Sequence, residues 1–526
     1  MRLRILALLA LALAPALLAE AGDGQVRDFR LVQQTTPQLI VSNPAAMGFW
    51  SGRVAMVEAN AVKSNGGLIA LEESSDDFSI GALTESYYRI SKLITFHGKL
   101  AWSHFSGKEM CGPVPVNPDF HPTGFYESDP EMVGIKKREL YDLTGGLSIN
   151  LDSDWSLGFN VNYEAGDQTK VKDPRFSNIL TNLDLKAGLA WHPSRNFMVG
   201  LSGQYESLLE QIRGGIYGAT DKQYFIQNDR GAFFGTVEDL SGDYNIISST
   251  NLVPLDNRFY GASLQVILFE IFTNEFTYRK RAGYYGKRST TTPIYYEYGG
   301  LGVAYSGTLL LHSGSDIHRL AVDVNYDMVS ADENRFNYVT QPGGNTIVEY
   351  TTKSRITDRG DMTASLNYRW FIDAYGNRPA ATLGAKATYF ARTQVTQIYP
   401  FFRNHSFSRI GGELFLEKDF DLGYCSIIPS LTGIYQMGWG VKKADGTYVE
   451  TTSTRLKSFD YWLDRKYEYD TAARAGGCLS VTFAKSFEKF EIYLKISDTL
   501  TSLLAQPEFL AGRTRNIAQL TIGCNF

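Results

Sequence analysis

Trp155-Ser156-Leu157-Gly158-Phe159-Asn160-Val161-Asn162-Tyr163 is the stretch whose reading decides the fold. Every odd position is apolar and every even position is small or polar. Successive side chains of a strand point to opposite faces, so this segment has one greasy face and one wet face. The period recurs. Tyr141, Leu143, Leu147, Ile149 and Leu151 alternate with Asp142, Thr144, Ser148 and Asn150. Leu183, Leu185, Ala187, Leu189 and Trp191 alternate with Asn182, Asp184, Lys186 and Gly188. Leu320 to Met328 and Met362 to Trp370 do the same.

A soluble β-sandwich also alternates, but three features point to a transmembrane barrel. The alternating segments are about ten residues long, what a tilted strand needs to cross a bilayer. Aromatics sit at the ends of the apolar faces, as at Trp155 and Tyr163, Tyr368 and Trp370, Trp191 and Tyr205, like the girdles of membrane barrels. The connections also alternate between short and long. Strands are predicted near 52–62, 77–90, 92–106, 141–151, 154–165, 180–192, 196–206, 258–270, 274–285, 295–306, 317–330, 360–372, 379–391, 408–419, 424–438, 470–484, 488–497 and 514–526. Short turns follow even-numbered strands, at Asp152-Ser153 and Pro193-Ser194 for example. Long external loops are expected at 107–140, 207–257, 331–359 and 439–469, and a shorter one over Gly166 to Arg175. The expected fold is all-β: a single antiparallel transmembrane barrel of about 18 strands, within a range of 14–18. In the first strand Glu58 and Asn60 share a face with Val54 and Met56, which breaks the pattern.

The ends agree with this reading. Arg2 and Arg4, the apolar run Leu6 to Leu18, and Ala19-Glu20-Ala21 compose a secretory signal peptide over residues 1–21. That run is too short for a spanning helix, which needs roughly 20 residues. The segment 22–51 lacks period-2 alternation and is a candidate plug, with the barrel following over 52–526. At the other end Ala518, Leu520, Ile522, Cys524 and Phe526 alternate with polar or small residues. Leu520, Ile522 and the terminal Phe526 resemble the signal that barrel-assembly machinery engages, implying a bacterial outer membrane as the destination and its lipid as solvent.

Composition excludes several functions. After loss of residues 1–21 the chain carries 49 basic and 55 acidic residues, a balance without the basic patches of nucleic-acid binding. The histidines His97, His104, His121, His192, His312, His318 and His405 form no i, i+4 pair and no Ser/His or Asp/His motif. No catalytic residue, cofactor site or metal site is expected. Gly299-Gly300-Leu301-Gly302 falls inside a predicted strand, not in a phosphate-binding loop. Alternation puts Cys425 and Cys524 on the lipid face, Cys478 on the lumen face and Cys111 in a loop, so no disulfide framework is predicted. The lumen face carries Asp184, Lys186, Asp323, Asp327, Arg369, Lys386 and Arg474. These charges could line a pore or seat a plug, or could simply tolerate the wet side. The 207–257 loop holds Tyr217, Tyr224, Phe225, Phe233 and Phe234, which suits packing over the barrel mouth or against a partner.

About 18 strands enclose a lumen too wide for wall side chains to fill, so the barrel is plugged or is a channel. Within the plug candidate, Asn43-Pro44-Ala45-Ala46-Met47 stands just before the first strand. Here the chain resembles the long-chain fatty-acid transporter (FadL-like) superfamily, whose N-terminal hatch ends in an Asn-Pro-Ala-Gly/Ala-hydrophobic motif. The chain also resembles, in general style, uncharacterised outer-membrane barrels of Bacteroidota. The FadL resemblance implies a hatch shaped by Asn43, Pro44, Ala45 and Met47, and passive uptake of hydrophobic or amphipathic small molecules. The same superfamily includes attachment subunits of larger complexes. The second reading is therefore a non-enzymatic scaffold, in secretion, nutrient uptake or barrel assembly, that meets other outer-membrane proteins through its long loops.

Overall fold

The computed structural model describes residues 26–526 apart from 219–220, 241–245, 248–251, 375–377 and 453–454. The signal peptide expected over 1–21 lies outside the described residues. Period-2 alternation becomes eighteen long strands: β1 (Arg53–Asn65), β2 (Asp76–Arg89), β3 (Ile94–Met110), β4 (Gly134–Asn150), β5 (Trp155–Lys170), β6 (Arg175–Ser194), β7 (Phe197–Gly215), β8 (Val253–Leu268), β9 (Phe272–Gly286), β10 (Ile294–Ser313), β11 (Asp316–Thr340), β12 (Thr346–Ile372), β13 (Ala381–Ile398), β14 (Phe401–Lys418), β15 (Ser426–Thr447), β16 (Arg474–Ser486), β17 (Glu491–Leu503) and β18 (Thr514–Asn525). Each pairs antiparallel with its sequence neighbours. Closure comes from β1, where Ala59 stands opposite Ala82 of β2 and Ile522 of β18. Within the closed wall every strand is thereby paired on both sides, the condition for a β-structure to cross a bilayer.

The two faces of the wall differ as the alternation requires. Leu201, Leu414, Leu479 and Ile522 are 61%, 70%, 60% and 54% exposed, so no protein covers the outward face there. Ser148, Ser156 and Gln265, on the inward face, are fully buried against material inside the barrel. The broken pattern of β1 has the same cause. Its inward Val54 and Met56 pack with Phe29, Val32 and Met47 of the N-terminal segment, so an apolar interior contact replaces the usual wet face.

The loops are shorter than the sequence suggests, because strands run past the apolar band at the long-loop end. The expected loop 331–359 is instead the continuation of β11 and β12, joined by a turn at 341–345. The expected loop 166–175 is mostly the ends of β5 and β6 around a turn at 171–174. Pro193 and Ser194 close β6, and the turn falls at 195–196. The remaining long loops contract to 111–133, 216–252 and 448–473. The last contains a helix that delays β16 to Arg474, four residues after the expected start.

Candidate functional site: a lumen hatched at one end and capped at the other

At the short-turn end the N-terminal segment enters the barrel. Helix α1 (Phe29–Thr35) begins where the Asp28 side chain accepts from Leu31 N at 2.8 Å. Helix α2 (Pro37–Ile40) has proline at its first position, where no backbone donor is needed. The chain then crosses to the wall of β4–β9. Asn43 is 2% exposed. Its Nδ2 donates to Leu189 O (3.2 Å), Leu201 O (3.4 Å) and Gln265 Oε1 (3.0 Å), and its Oδ1 accepts from Ala45 N (2.9 Å). Ser148 Oγ donates to Ala45 O at 3.1 Å and Asn150 Nδ2 to Gly48 O at 2.9 Å. The wall makes room with glycine. A Cβ at Gly158 would stand 2.1 Å from Ala45 N, one at Gly188 2.0 Å from Asn43 Oδ1, and one at Gly200 2.6 Å from Asn43 Nδ2. On the other side Arg30 pairs with Glu58 of β1 (2.7 Å), and Arg319 of β11 donates to Gln34 O (3.1 Å).

At the long-loop end three loops fold into a cap. Strands at 124–127, 225–229, 234–239 and 457–458 make a small separate sheet, and helix α3 (Asp460–Thr471) lies beside it. Leu71, Tyr126, Phe233, Phe459, Trp462 and Leu463 form its core. A second core joins the cap's Phe125 and Ile226 to the wall's Tyr285 and Tyr296. Arg403 of β14 is fully buried. It reaches Asp445 with two bonds (2.6 and 2.7 Å), Ser458 Oγ (2.6 Å), and the carbonyls of Ala232 (3.1 Å) and Phe233 (3.0 Å). Ala232 and Phe233 have φ of 54° and 57°, a left-handed conformation costly for residues with a Cβ, and the guanidinium holds them in it. Lys170 of β5 and Glu127 of the cap form a buried ion pair.

The loop 111–133 dips furthest. Asp119 pairs with Arg392 (3.1 Å) and Lys466 (2.8 Å). Burial pushes its carboxyl up, but Lys466 and Arg392 outweigh that and hold it well below the usual carboxylate range. Burial lowers the Lys466 ammonium, yet Asp119 and Asp470 raise it above the usual lysine value. Burial, reinforced by Arg281 and Arg359, keeps the His121 imidazole well below its ordinary pKa.

Between hatch and cap the inward wall is charged, with Lys99 on Asp142 (2.6 Å), Gln204 on Asp184 (2.9 Å) and Ser306 on Asp323 (2.7 Å). The hatch sits against β1–β9, and the opposite side is less filled. A cavity of about 610 Å³ under the cap is lined by Thr363, Thr388, Phe390, Arg409, Gln436 and Arg474. A cavity of about 320 Å³ beside α1 is lined by Arg369, Thr382, Phe415, Glu417, Ile428 and Thr482. These residues fall on the same inward rows of β12–β16, so the two cavities lie at the ends of one column of wall. Cations stack on its aromatics: Arg409 over Phe390 (4.8 Å) and Arg369 over Phe415 (5.5 Å).

Of the seven charges read as lumen-facing, Arg369, Lys386 and Arg474 belong to strands of this column. Lys386 stands 3.7 Å from Glu413. Asp327 lies 3.7 Å from Arg279. Asp184 and Lys186 (β6) and Asp323 (β11) belong to other parts of the wall. Asn43, Pro44, Ala45 and Met47 are buried together in the hatch. Leu520 and Ile522 are outward, and Phe526 pairs its backbone with Ala55 (2.9 Å). His97 contacts Glu85 (3.1 Å) and stacks on Tyr87 (4.3 Å), and His192 stacks on Phe49 of the hatch (4.7 Å). The four cysteines are unpaired. Sequence reasoning missed α3, the cap sheet and Arg403. The density of Tyr and Phe in 207–257 signalled packing over the mouth, and nothing local signalled α3 or Arg403.

A family of unknown function, DUF6850, matches residues 44–526, and the chain belongs to that family. No curated protein matches. Among solved structures the chain is similar to BauA, the ferric preacinetobactin receptor of Acinetobacter baumannii, with 8% identity over 89% of this chain and 80% of that one, TM-score 0.35. It is also similar to a FadL homologue of Pseudomonas aeruginosa, with 11% identity over 96% of each chain, TM-score 0.31. A third similar structure is the CymD monoaromatic hydrocarbon channel, with 6% identity over 96% of this chain and 98% of that one, TM-score 0.31.

Proposed function

We propose that this member of a family of unknown function is an outer-membrane channel passing amphipathic small molecules between its cap and its hatch. The observation that carries the reading is the column on β12–β16, with a cavity at each end and the hatch docked on the opposite wall. Its lining pairs phenylalanines with stacked arginines, which suits a solute with both an apolar body and a polar group. A purely hydrophobic solute would leave Arg369, Lys386 and Glu413 dehydrated, which is costly. The test is swelling of proteoliposomes in small aromatic and short-chain carboxylates, against sugars as controls. Faster swelling with the amphipathic solutes, and a further rise on loosening the hatch, supports the reading. Impermeability after removal of residues 26–51 sinks it.

A second reading, a scaffold that docks a protein partner, is favoured by the β11–β12 hairpin. Beyond Glu333 and Thr357 these strands have no barrel neighbour in register, and the hairpin exposes Val339 (37%) and Tyr350 (48%). Apart from Val348 N, which donates to Thr290 O (2.7 Å), their outer edges have no strand beside them, and open edges of this kind are templates for another chain. A mild-detergent pull-down from the native membrane separates the two readings. A stoichiometric protein lost on deleting 335–352 makes the chain a complex subunit. A monodisperse single chain leaves the channel.

A further inference from the structure

A third cavity, of about 140 Å³, lies where the dipping loop meets β8–β12. At roughly 30 Å³ per water it has room for four or five waters. Phe120 of the cap and Phe259, Arg281 and Arg359 of the wall line it. The two guanidiniums are held largely by neutral groups. Arg281 donates to Asn257 Oδ1 (2.9 Å), Phe120 O (3.0 Å) and His121 Nδ1 (3.2 Å), and no carboxylate among the described residues pairs with it. Arginine can only donate, so His121 is neutral with its proton on Nε2. Arg359 donates to His121 O (2.6 Å) and Phe120 O (3.3 Å).

Three aspartates also line this space, and each is engaged. Asp361 takes two bonds from Arg392 (2.7 and 2.9 Å), Asp119 is shared by Arg392 and Lys466, and Asp327 meets Arg279 and Asn325. Arg359 Nε lies 3.2 Å from Asp361, but without hydrogen-bond geometry, and that nitrogen is buried without a partner. The Arg359 side chain is 6% exposed. A buried charged donor left unmade is expensive, and the Arg359 guanidinium that carries it lines the same cavity as a second guanidinium that lacks a carboxylate.

We propose that this cavity is an oxyanion site for phosphate, free or as the phosphoryl group of a small solute, with Arg281 and Arg359 as its donors. Guanidiniums match phosphate oxygens with paired N–H bonds. The bound anion joins the cap loop to the wall, since both arginines also hold the carbonyls of Phe120 and His121. The volume excludes a long acyl chain. The site stands whether or not solutes cross the barrel.

The test is calorimetric titration of the purified full-length barrel, in phosphate-free detergent buffer, with inorganic phosphate and with a hexose phosphate. Saturable heat is expected, with affinity falling about tenfold or more in Arg281→Gln and in Arg359→Gln. Lys353→Gln, which breaks a distant surface pair with Glu297, should bind as wild type. Tighter binding of inorganic phosphate marks a free ion, and tighter binding of the sugar phosphate marks a solute group. Arginine-directed modification with mass-spectrometric readout covers the case of variants that misfold: phosphate should protect Arg281 and Arg359 in the wild-type chain. Absence of saturable binding of either probe, unchanged affinity in both glutamine variants, or unprotected arginines overturns the proposal.

Discussion

Replacing Gly158 and Gly188 by alanine drives two methyl groups into the hatch. The new carbons would stand 2.1 Å from Ala45 N and 2.0 Å from Asn43 Oδ1, whereas an ordinary contact needs about 3.5 Å. The wall cannot yield, because both glycines sit in fully paired strands, Gly158 opposite Gly188. The segment 43–48 must therefore retreat by more than about an ångström, which breaks its five hydrogen bonds to the wall, three from Asn43 and those to Ala45 O and Gly48 O. At about 1 kcal/mol each, with some remade to water, the closed hatch loses about 2–4 kcal/mol. The open population then rises about 30-fold to 1000-fold. Hydrogen exchange of residues 39–50 in the purified barrel reads this directly, and single-channel conductance reads its consequence. Gly203→Ala is the control, since a Cβ there meets nothing within 4 Å. If the double variant exchanges no faster than Gly203→Ala, the hatch is not seated on those glycines and the docking argument fails.

Arg403→Ala removes three bonds to the cap, at Ala232 O, Phe233 O and Ser458 Oγ, and leaves Asp445 of β15 without its partner. At about 1–2 kcal/mol for each buried cap acceptor left unpaired, a loss of about 3–5 kcal/mol should appear as faster exchange and proteolysis of 225–239, with the hatch unaffected. The Asp229 carboxyl, pushed up to about 7 chiefly by burial, adds a pH dependence. Its folded pKa exceeds its unfolded value near 3.8, so its stabilisation is full below about pH 4 and is lost as pH rises through about 7. Asp229→Asn should match wild-type cap protection near pH 4 and exceed it above pH 7, and equal protection at both ends would discard the assignment. Deleting Phe526, or charging Leu520 and Ile522 on the outward face, should lower the yield of heat-modifiable barrel in membranes, because charges there cost roughly 2–4 kcal/mol near mid-bilayer.

The strands were legible because lipid outside and water inside impose opposite chemistry on alternate residues, and each of the eighteen predicted segments overlaps a strand of the barrel. What lay beyond that boundary was not legible. Residues 331–359 read as a loop because a hairpin standing clear of the lipid has polar residues on both faces, such as Lys353, Arg355 and Asp358. Helix α3 was hidden because its apolar residues, Trp462 and Leu463, meet a cap core assembled from three distant loops. The hatch motif could be seen, but not its seat. Gly158, Gly188 and Gly200 look like ordinary lumen glycines until Asn43 and Ala45 are placed against them. Arg403 left no local signal, since its partners lie 42, 55 and about 170 residues away.

Hatch and cap are fastened by different chemistry, and this gives them different sensitivities. The hatch motif is held by an amide, a serine hydroxyl and backbone carbonyls pressed on glycine, with charge entering mainly at Arg30–Glu58 and Glu275. The cap is fastened by ion pairs, several of them exposed. Lys442–Asp464 and Lys443–Asp460, both at 2.6 Å, tie α3 to β15 with lysines about one-third exposed. Screening shortens from about 10 Å at 0.1 M salt to about 3 Å at 1 M, so exposed pairs weaken while buried neutral hydrogen bonds do not. Raising salt across that range should therefore increase exchange in 455–471 while leaving 43–48 protected, with the cap loosening before the hatch. Equal loosening at both ends would mean that the hatch, too, is held by charge, and that Asn43 and its glycines only fill space.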